Sequence, residues 1–260
     1  MLSKSIKLYH ADCLDVMPDL PSGKIQLILC DLPFGTTASN WDKAIPAEKL
    51  WEQYDRLIAP NGSVVLFASG LFMPYLISSN IKNYKYLWVW VKRNATNFVH
   101  AKNRPLCACE FLLVFSKAPM GHISQLGDKR MMYNPQGLIP CHKEIKQGKG
   151  RFGTNAGVRP SQLNENDTFT REWTNYPKDV LLDFKDLPPN KKLHTNEKPV
   201  DLLEYMIKTY SNEGDIVMDN CMGSGSCGEA CLKTNRKFLG IEKEEVYYNI
   251  SKKRLEDLCQ

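Results

Sequence analysis

No C-x-x-C pair occurs in this 260-residue chain, although it carries nine cysteines at irregular intervals. An odd, scattered set of that kind signals neither a disulfide framework nor a zinc knuckle. No apolar run approaches the roughly 18–20 residues that a membrane span requires. The opening residues, "MLSKSIKLYHADC", contain no secretory apolar core. A protein with reduced thiols in the cytoplasm is the expectation. The hydrophobic fraction of 43% and charged fraction of 24% are those of an ordinary globular chain. Its length suits one large domain, or one domain carrying an insertion.

Acidic residues are scarce in one long stretch. Between Lys82 and Arg159 stand fourteen Lys or Arg against three acids (Glu110, Asp128 and Glu144), a balance of +11. The remainder holds 20 basic and 26 acidic residues, or −6, and the two add to the overall +5. A split this strong points to a basic face, most often built for phosphate backbones. A merely solubilising surface is the plainer alternative.

What is present is a regular alternation at both ends of the chain. "KIQLILCD" is an apolar run ending in a charge, as a parallel strand covered on both faces should read. "AIPAEKLWEQYDRLIAPNGSVVLFAS" predicts a helix closed by "PNG", then a buried strand from Ser63 to Ala68. "YKYLWVWVKR" and "CEFLLVFSK" predict further strands. Regularity fails from about Lys117 to Lys192 and resumes with the helix "KPVDLLEYMIKTY", the strand "IVMD", a glycine loop, a helix and the strand "KFLGIE". Strands alternating with helices predict an α/β fold, a doubly wound parallel sheet. A polar, basic segment of that length is usually functional or mobile.

Two strand-to-loop junctions carry chemistry-bearing residues. "LILCDLPFGTT" places Asp31, Leu32, Pro33 and Phe34 at the end of a strand. The Asp31 carboxylate and the Leu32 carbonyl, the latter held extended by Pro33, offer two acceptors, which suits the two hydrogens of an exocyclic amine. Phe34 adds a flat face for stacking a base. "IVMDNCMGSGSCGEA" runs from a strand through Asp219, Gly223 and Gly225 into a helix, and Glu242 ends the next strand. Glycines permit close backbone approach, and an acid at that tip suits ribose hydroxyls. Each loop alone serves equally well as an ordinary turn. Without the third glycine of the dinucleotide fingerprint, a nucleotide-dependent oxidoreductase is a poor match.

Taken in order, the two loops resemble the DNA amino-methyltransferases, which methylate N6 of adenine or N4 of cytosine from S-adenosylmethionine. Asp31-Leu32-Pro33-Phe34 resembles that family's D/N/S-P-P-Y/F/W tetrapeptide, and "DNCMGSGS" (Asp219–Ser226) its D-P-F-x-G-S-G-T. "HTNEKP" (His194–Pro199) resembles its H-P-T-x-K-P. "GTTASNWD" and "RPLCACEFLLVFSK" look familiar as well. Catalytic motif first and glycine motif last is the permuted order of the beta class.

The resemblance implies a Rossmann-like S-adenosylmethionine-dependent methyltransferase sheet, formed by residues 1–117 and 191–260. Residues 118–190 would be an irregular basic target-recognition insertion. It implies catalytic roles for Asp31, Leu32, Pro33 and Phe34, with no metal required. Cofactor contacts are expected from Asp219, Cys221, Gly223, Ser224, Gly225 and Glu242, and from Lys198, His194 and Asp12, although His194 and Asp12 serve as readily as caps. DNA contacts are expected from Arg130, Asn134, Lys143, Lys146, Lys149, Arg151 and Arg159. Asp at the tetrapeptide's first position favours adenine, since cytosine-N4 members mostly carry Ser there. Leu32 replaces a proline where only the carbonyl is needed, whereas Asn220-Cys221 removes a phenylalanine that would wall the cofactor pocket. Three rivals stay open: a cytosine-N4 enzyme, an enzyme acting on RNA, and a binding protein that has lost catalysis. The expected partner is double-stranded DNA, not a membrane, in a bacterial or phage-encoded protein held to the nucleoid through DNA. Whether it acts as a homodimer, or beside a paired restriction endonuclease, is left open.

Overall fold

Five of the six residues in Ile25–Cys30 (β2) are apolar and all six are buried, so the strand must be covered on both faces. The computed structural model describes residues 4–35, 44–146, 168–188, 190, 192–194 and 196–259. Before β2 come β1 (Ile6–His10) and α1 (Cys13–Val16); after it come α2 (Ala47–Leu57), β3 (Ile58–Ala68) and α3 (Phe72–Ser79). Then follow β4 (Tyr84–Thr96), β5 (Cys107–Phe115), the short α4 (Ile123–Leu126), β6 (Ile139–Lys146), β7 (Thr168–Thr174) and β8 (Val180–Leu181). The chain ends with α5 (Val200–Tyr210), β9 (Ile216–Asp219), α6 (Ser226–Lys233), β10 (Lys237–Glu242) and α7 (Glu245–Leu258).

Eight strands form one sheet in the order β1-β10-β9-β2-β3-β5-β4-β8. Every neighbouring pair is parallel except those that β5 makes with β3 and β4. The expected parallel sheet is therefore mostly parallel, with one strand reversed. Residues 97–106 are too short a connection for the crossover of a dozen or more residues that a parallel partner needs. Side chains alternate to two cores. Leu27, Leu29, Val65 and Phe67 pack with α5, α6 and α7, while Ile28, Cys30, Val64 and Leu66 pack with α1, α2 and α3. The result is a three-layer, doubly wound α/β arrangement.

One boundary differs from the sequence expectation. β3 starts at Ile58, and "PNG" becomes an irregularity inside the strand, with Ile25 opposite Ile58 but Leu27 opposite Ser63. Glycine is required at this bulge, because a Cβ on Gly62 would stand 2.7 Å from the Gln26 carbonyl oxygen.

The chain divides into two compact units, residues 1–134 with 179–260, and Pro135–Lys178. The second is narrower than the expected insertion, 118–190, because apolar anchors tie the flanks of that segment into the main unit. Ala118, Met131 and Leu181 are buried in its core. The Trp90 indole N–H donates to the Phe184 carbonyl at 2.9 Å. Within Pro135–Lys178, β6 and β7 pair antiparallel, Lys143 lying opposite Arg171. Among the described residues no helix is long and apolar enough to cross a membrane.

Candidate active site

β9 and β2 are parallel neighbours, with Val217 opposite Leu27 and Met218 opposite Ile28. Their C-terminal ends therefore emerge at the same edge of the sheet. From there the chain turns to opposite faces, β2 leading to α2 and β9 to α6. Such a reversal opens a crevice beyond the strand ends, where ligands of open α/β sheets bind. Here it holds a cavity of about 1020 Å³ whose walls include Asp31, Phe34, Lys198, Asp219, Gly223 and Glu242.

Asp31 leaves β2 into this cavity with its side chain only 21% exposed. Lys198 donates to Asp31 Oδ2 at 2.6 Å, and Asp31 Oδ1 has no hydrogen-bond partner among the described residues. Lys198, 9% exposed, also lies 3.4 Å from Glu110 Oε2 and 4.9 Å from the centre of the Phe67 ring. Glu110 in turn pairs with Lys92. Two acids and two ammonium groups thus balance inside the wall. Burial pushes the Asp31 carboxyl above the ordinary range, and the neighbouring Lys198 pulls against it. Burial would also raise Glu110, but Lys198 and Lys92 hold it below its ordinary value. Lys198 itself is desolvated, yet its two carboxylate neighbours raise it and keep it charged. Lys198, expected as a cofactor residue, lines the cavity and directs its ammonium to Asp31.

The rest of the tetrapeptide divides between core and cavity. Leu32 is buried in the core beneath α1, α2 and α3, so its side chain anchors the turn. Phe34 stacks on Phe72 with centroids 4.6 Å apart, and Phe72 in turn stacks on Tyr75 at 5.9 Å.

The glycine loop is held from several directions. Asp219 Oδ1 accepts from the Cys221 amide at 3.1 Å. Glu242 accepts from the Gly223 amide at 2.8 Å and the Glu244 amide at 2.9 Å, one through each oxygen. Gly225 caps α6 with φ of 78°, and a Cβ there would meet Ser251 Cβ at 2.9 Å, so both conformation and space require glycine. Asn220, where the expected motif has proline, is buried and accepts from the Tyr54 hydroxyl at 2.5 Å. Burial pushes Asp219 up to about 7, with the Cys221 amide opposing and the charges of Asp31 and Glu242 reinforcing. Burial also raises Glu242 against its backbone donors.

His194 sits beside this loop. Its ring meets Tyr247 edge-on at 4.2 Å, and its Nδ1 accepts from the Asn196 amide at 3.1 Å. Burial lowers its pKa, which favours the neutral ring. Asp12 caps α1 by accepting from the Leu14 amide at 3.0 Å, and pairs with Lys243 at 3.0 Å while lining the cavity. Cys221 and Ser224 line it as well.

Among the expected DNA contacts, Arg130 is half-buried in the main unit and Lys143 is exposed on β6. Lys146 ends β6. Lys149, Arg151 and Arg159 lie outside the described residues. Asn134 is corrected to a helix-end role: its amide donates to the Lys208 and Ser211 carbonyls at 3.2 Å each, which occupies it at the C-terminus of α5.

Three contributors carry no reading in the sequence analysis. Glu110 and Lys92 complete the charge cluster around Lys198. Glu110 carries the same signal as Asp31, a lone acid bordering a buried apolar strand. Arg254, on α7, donates to Glu197 Oε1 and Glu229 Oε2 at 2.6 Å each, and to the Ser224 carbonyl at 3.3 Å. It thereby ties the segment before α5 to the glycine loop and α6. A single arginine on an amphipathic helix gives no advance notice of that.

A family model described as DNA methylase, of the N6 and N4 kind, matches residues 25–253. Type II methyltransferase M1.MboII of Moraxella bovis is 25% identical over 258 residues, covering 94% of each chain. DNA adenine methyltransferase YhdJ of Escherichia coli is 25% identical over 261 residues, covering 96% of this chain and 82% of YhdJ. Among solved structures, the M1.HpyAVI complex with S-adenosylmethionine is 26% identical with a TM-score of 0.60, covering 96% of this chain and 99% of that one.

Proposed function

The chain belongs to the DNA methylase family, and we propose that it transfers a methyl group from S-adenosylmethionine to N6 of an adenine turned out of duplex DNA. The observation that carries this reading is the Asp31 carboxylate. Lys198 fixes one oxygen, the other is buried with no hydrogen-bond partner among the described residues, and the residue itself lines the cavity.

An exocyclic amine brings two hydrogens, and the Asp31 carboxylate with the Leu32 carbonyl makes two acceptors. Those bonds turn the nitrogen lone pair towards the methyl donor. Phe34, already stacked on Phe72, gives the base a face. Drawing the base from the stack costs a few kcal/mol, and positioning recovers much of the rate. As N6 would take the methyl group, the methyl–sulfur bond would break to leave the neutral thioether. The adjacent Asp31 carboxylate would stabilise the positive charge growing on N6, and the extra N6 proton would then be lost to solvent. Lys198 is a positioning residue, fixing the orientation of Asp31 and keeping it ionised. Adenine is favoured over cytosine by the acid itself, since cytosine-N4 relatives of this motif mostly carry Ser. The YhdJ likeness supports the same choice.

When bound, S-adenosylmethionine supplies an electrophilic methyl group on a sulfonium. The residues present fit it: Gly225 brings the loop against α7, and Glu242 spends one lone pair of each oxygen on backbone amides. Lone pairs remain for ribose hydroxyls. Asp219, Cys221, Gly223 and Ser224 would line the cofactor, with neutral His194 over the loop and Asp12 at the rim. The basic region, which includes Lys143 and the positions beyond it, would meet phosphates and base edges as the target-recognition part.

Asp31→Ala tests these roles. It should abolish methyl transfer to DNA while leaving the dissociation constant for S-adenosylmethionine within about threefold, because the cofactor cradle does not use Asp31. Loss of both would show that Asp31 serves the cofactor and not the amine.

A further inference from the structure

Val99, Leu71 and Phe98 are the most exposed large apolar side chains among the described residues, at 92%, 88% and 79%. All three belong to loops at the rim of the active-site cavity. Leu71 lines it directly, and Thr96, Asn97, Arg104 and Leu106 line it on both flanks of the segment holding Phe98 and Val99. Two consecutive large apolar side chains left almost fully in the open, as Phe98 and Val99 are, point to a contact site.

The segment after β4 has a defined shape. Asn97 adopts the left-handed conformation with φ of 67°. The His100 amide then donates to the Asn97 carbonyl at 2.9 Å, and the Ala101 amide to the Phe98 carbonyl at 3.0 Å. The Asn103 and Arg104 amides close on the His100 carbonyl at 2.8 and 3.0 Å. These bonds make a tight turn with Phe98 and Val99 at its outer end. The surrounding sequence selects the partner: from Arg93 to Cys109 there is no acidic residue, while Lys102 and Arg104 follow the apolar pair. An apolar tip in a basic setting suits a polyanion whose interior is apolar, and duplex DNA has phosphates outside and stacked bases within.

We propose that residues 97–104 form a wedge in which Phe98 and Val99 enter the base stack at the space vacated by the target base, while Lys102 and Arg104 hold the flanking phosphates. The proposal rests on the base-turning reading above. The wedge restores the stacking that the departing base gives up, so it should matter most where the target base is paired and stacked.

The test compares the wild type with Phe98→Ala/Val99→Ala on synthetic duplexes carrying the site found by sequencing DNA from an expressing host. One duplex has the target base correctly paired, and the other has it mismatched. The double variant should lose about tenfold or more in methylation rate on the paired duplex, as expected for a loss near 1.4 kcal/mol. It should stay within about threefold of wild type on the mismatched one. With 2-aminopurine at the target position, the variant should also show a smaller fluorescence rise on binding. Equal losses on both duplexes, no loss on either, or a changed oligomeric state in the variant would overturn the wedge. A wild type that methylates neither duplex would instead overturn the base-turning reading, and the wedge with it.

Discussion

Replacing Lys198 with methionine removes the cation that, among the described residues, bridges Asp31 and Glu110. The ammonium stands 2.6 Å from the first acid and 3.4 Å from the second, and Lys198 is 9% exposed, so the pair is largely shielded from water. Glu110 keeps Lys92, whereas Asp31 loses the ammonium bound to its oxygen and stays beside the Glu110 carboxylate. Breaking a buried ion pair from one side typically costs about 3–5 kcal/mol. At about 2–4 °C per kcal/mol for a chain of this size, the melting temperature should fall by roughly 6–20 °C. The pH dependence has a definite sign. The Asp31 carboxyl already sits above the ordinary range, and losing Lys198 moves it further up. A carboxyl raised by folding penalises the fold once it must ionise, so the variant's deficit should be larger at pH 8 than at pH 5. Activity requires ionised Asp31, so the acid limb of the kcat profile should move to higher pH. Lys198→Arg, which keeps the charge, should recover most of the stability and hold the limb near that of the wild type. Thermal melts at both pH values and a kcat–pH profile decide the matter. An unchanged acid limb in a folded Lys198→Met variant would refute the idea that Lys198 governs Asp31.

Two further outcomes follow from the charges around the glycine loop. Burial pushes Asp219 up to about 7, so its ionisation penalises the fold from about pH 4 upward, in full above 7. Asp219→Asn should therefore raise the melting temperature at pH 8 and leave it nearly unchanged at pH 4, as thermal melts would show. Arg254→Met leaves Glu197, 2% exposed, without its counter-ion and frees the Ser224 carbonyl, which should cost about 3–5 kcal/mol. The same variant should weaken S-adenosylmethionine binding measured by calorimetry, because Arg254 braces the loop from behind.

The parts of the molecule legible from sequence are those whose signal is local. β2 and β9 announce themselves as apolar runs ended by an acid, and Gly225 as the opening of a helix. Asp12 reads as a cap because capping is decided within a few residues. The direction of β5 is not legible, because alternation of strands and helices says nothing of a short connection such as 97–106. The flanks of the basic segment read as irregular, although Met131 and Leu181 are core residues, because isolated apolar positions carry no periodicity. Pairings between distant residues are invisible for a different reason. Lys198 meets Asp31 across 167 positions, and Tyr54 meets Asn220 across 166. Such contacts exist only once β2 and β9 lie side by side. The sequence places each partner on its own element or loop, and the sheet order brings them together.

The most direct test of the account is the identity of the methylated nucleoside. The protein is incubated with S-adenosylmethionine labelled in its methyl group and with duplex DNA of mixed sequence, and the DNA is digested to nucleosides. The account predicts label in N6-methyladenosine of the deoxy series and none when Asp31→Ala replaces the wild type. Label in N4-methylcytosine would contradict the choice of base, and DNA without label would contradict the proposed activity itself.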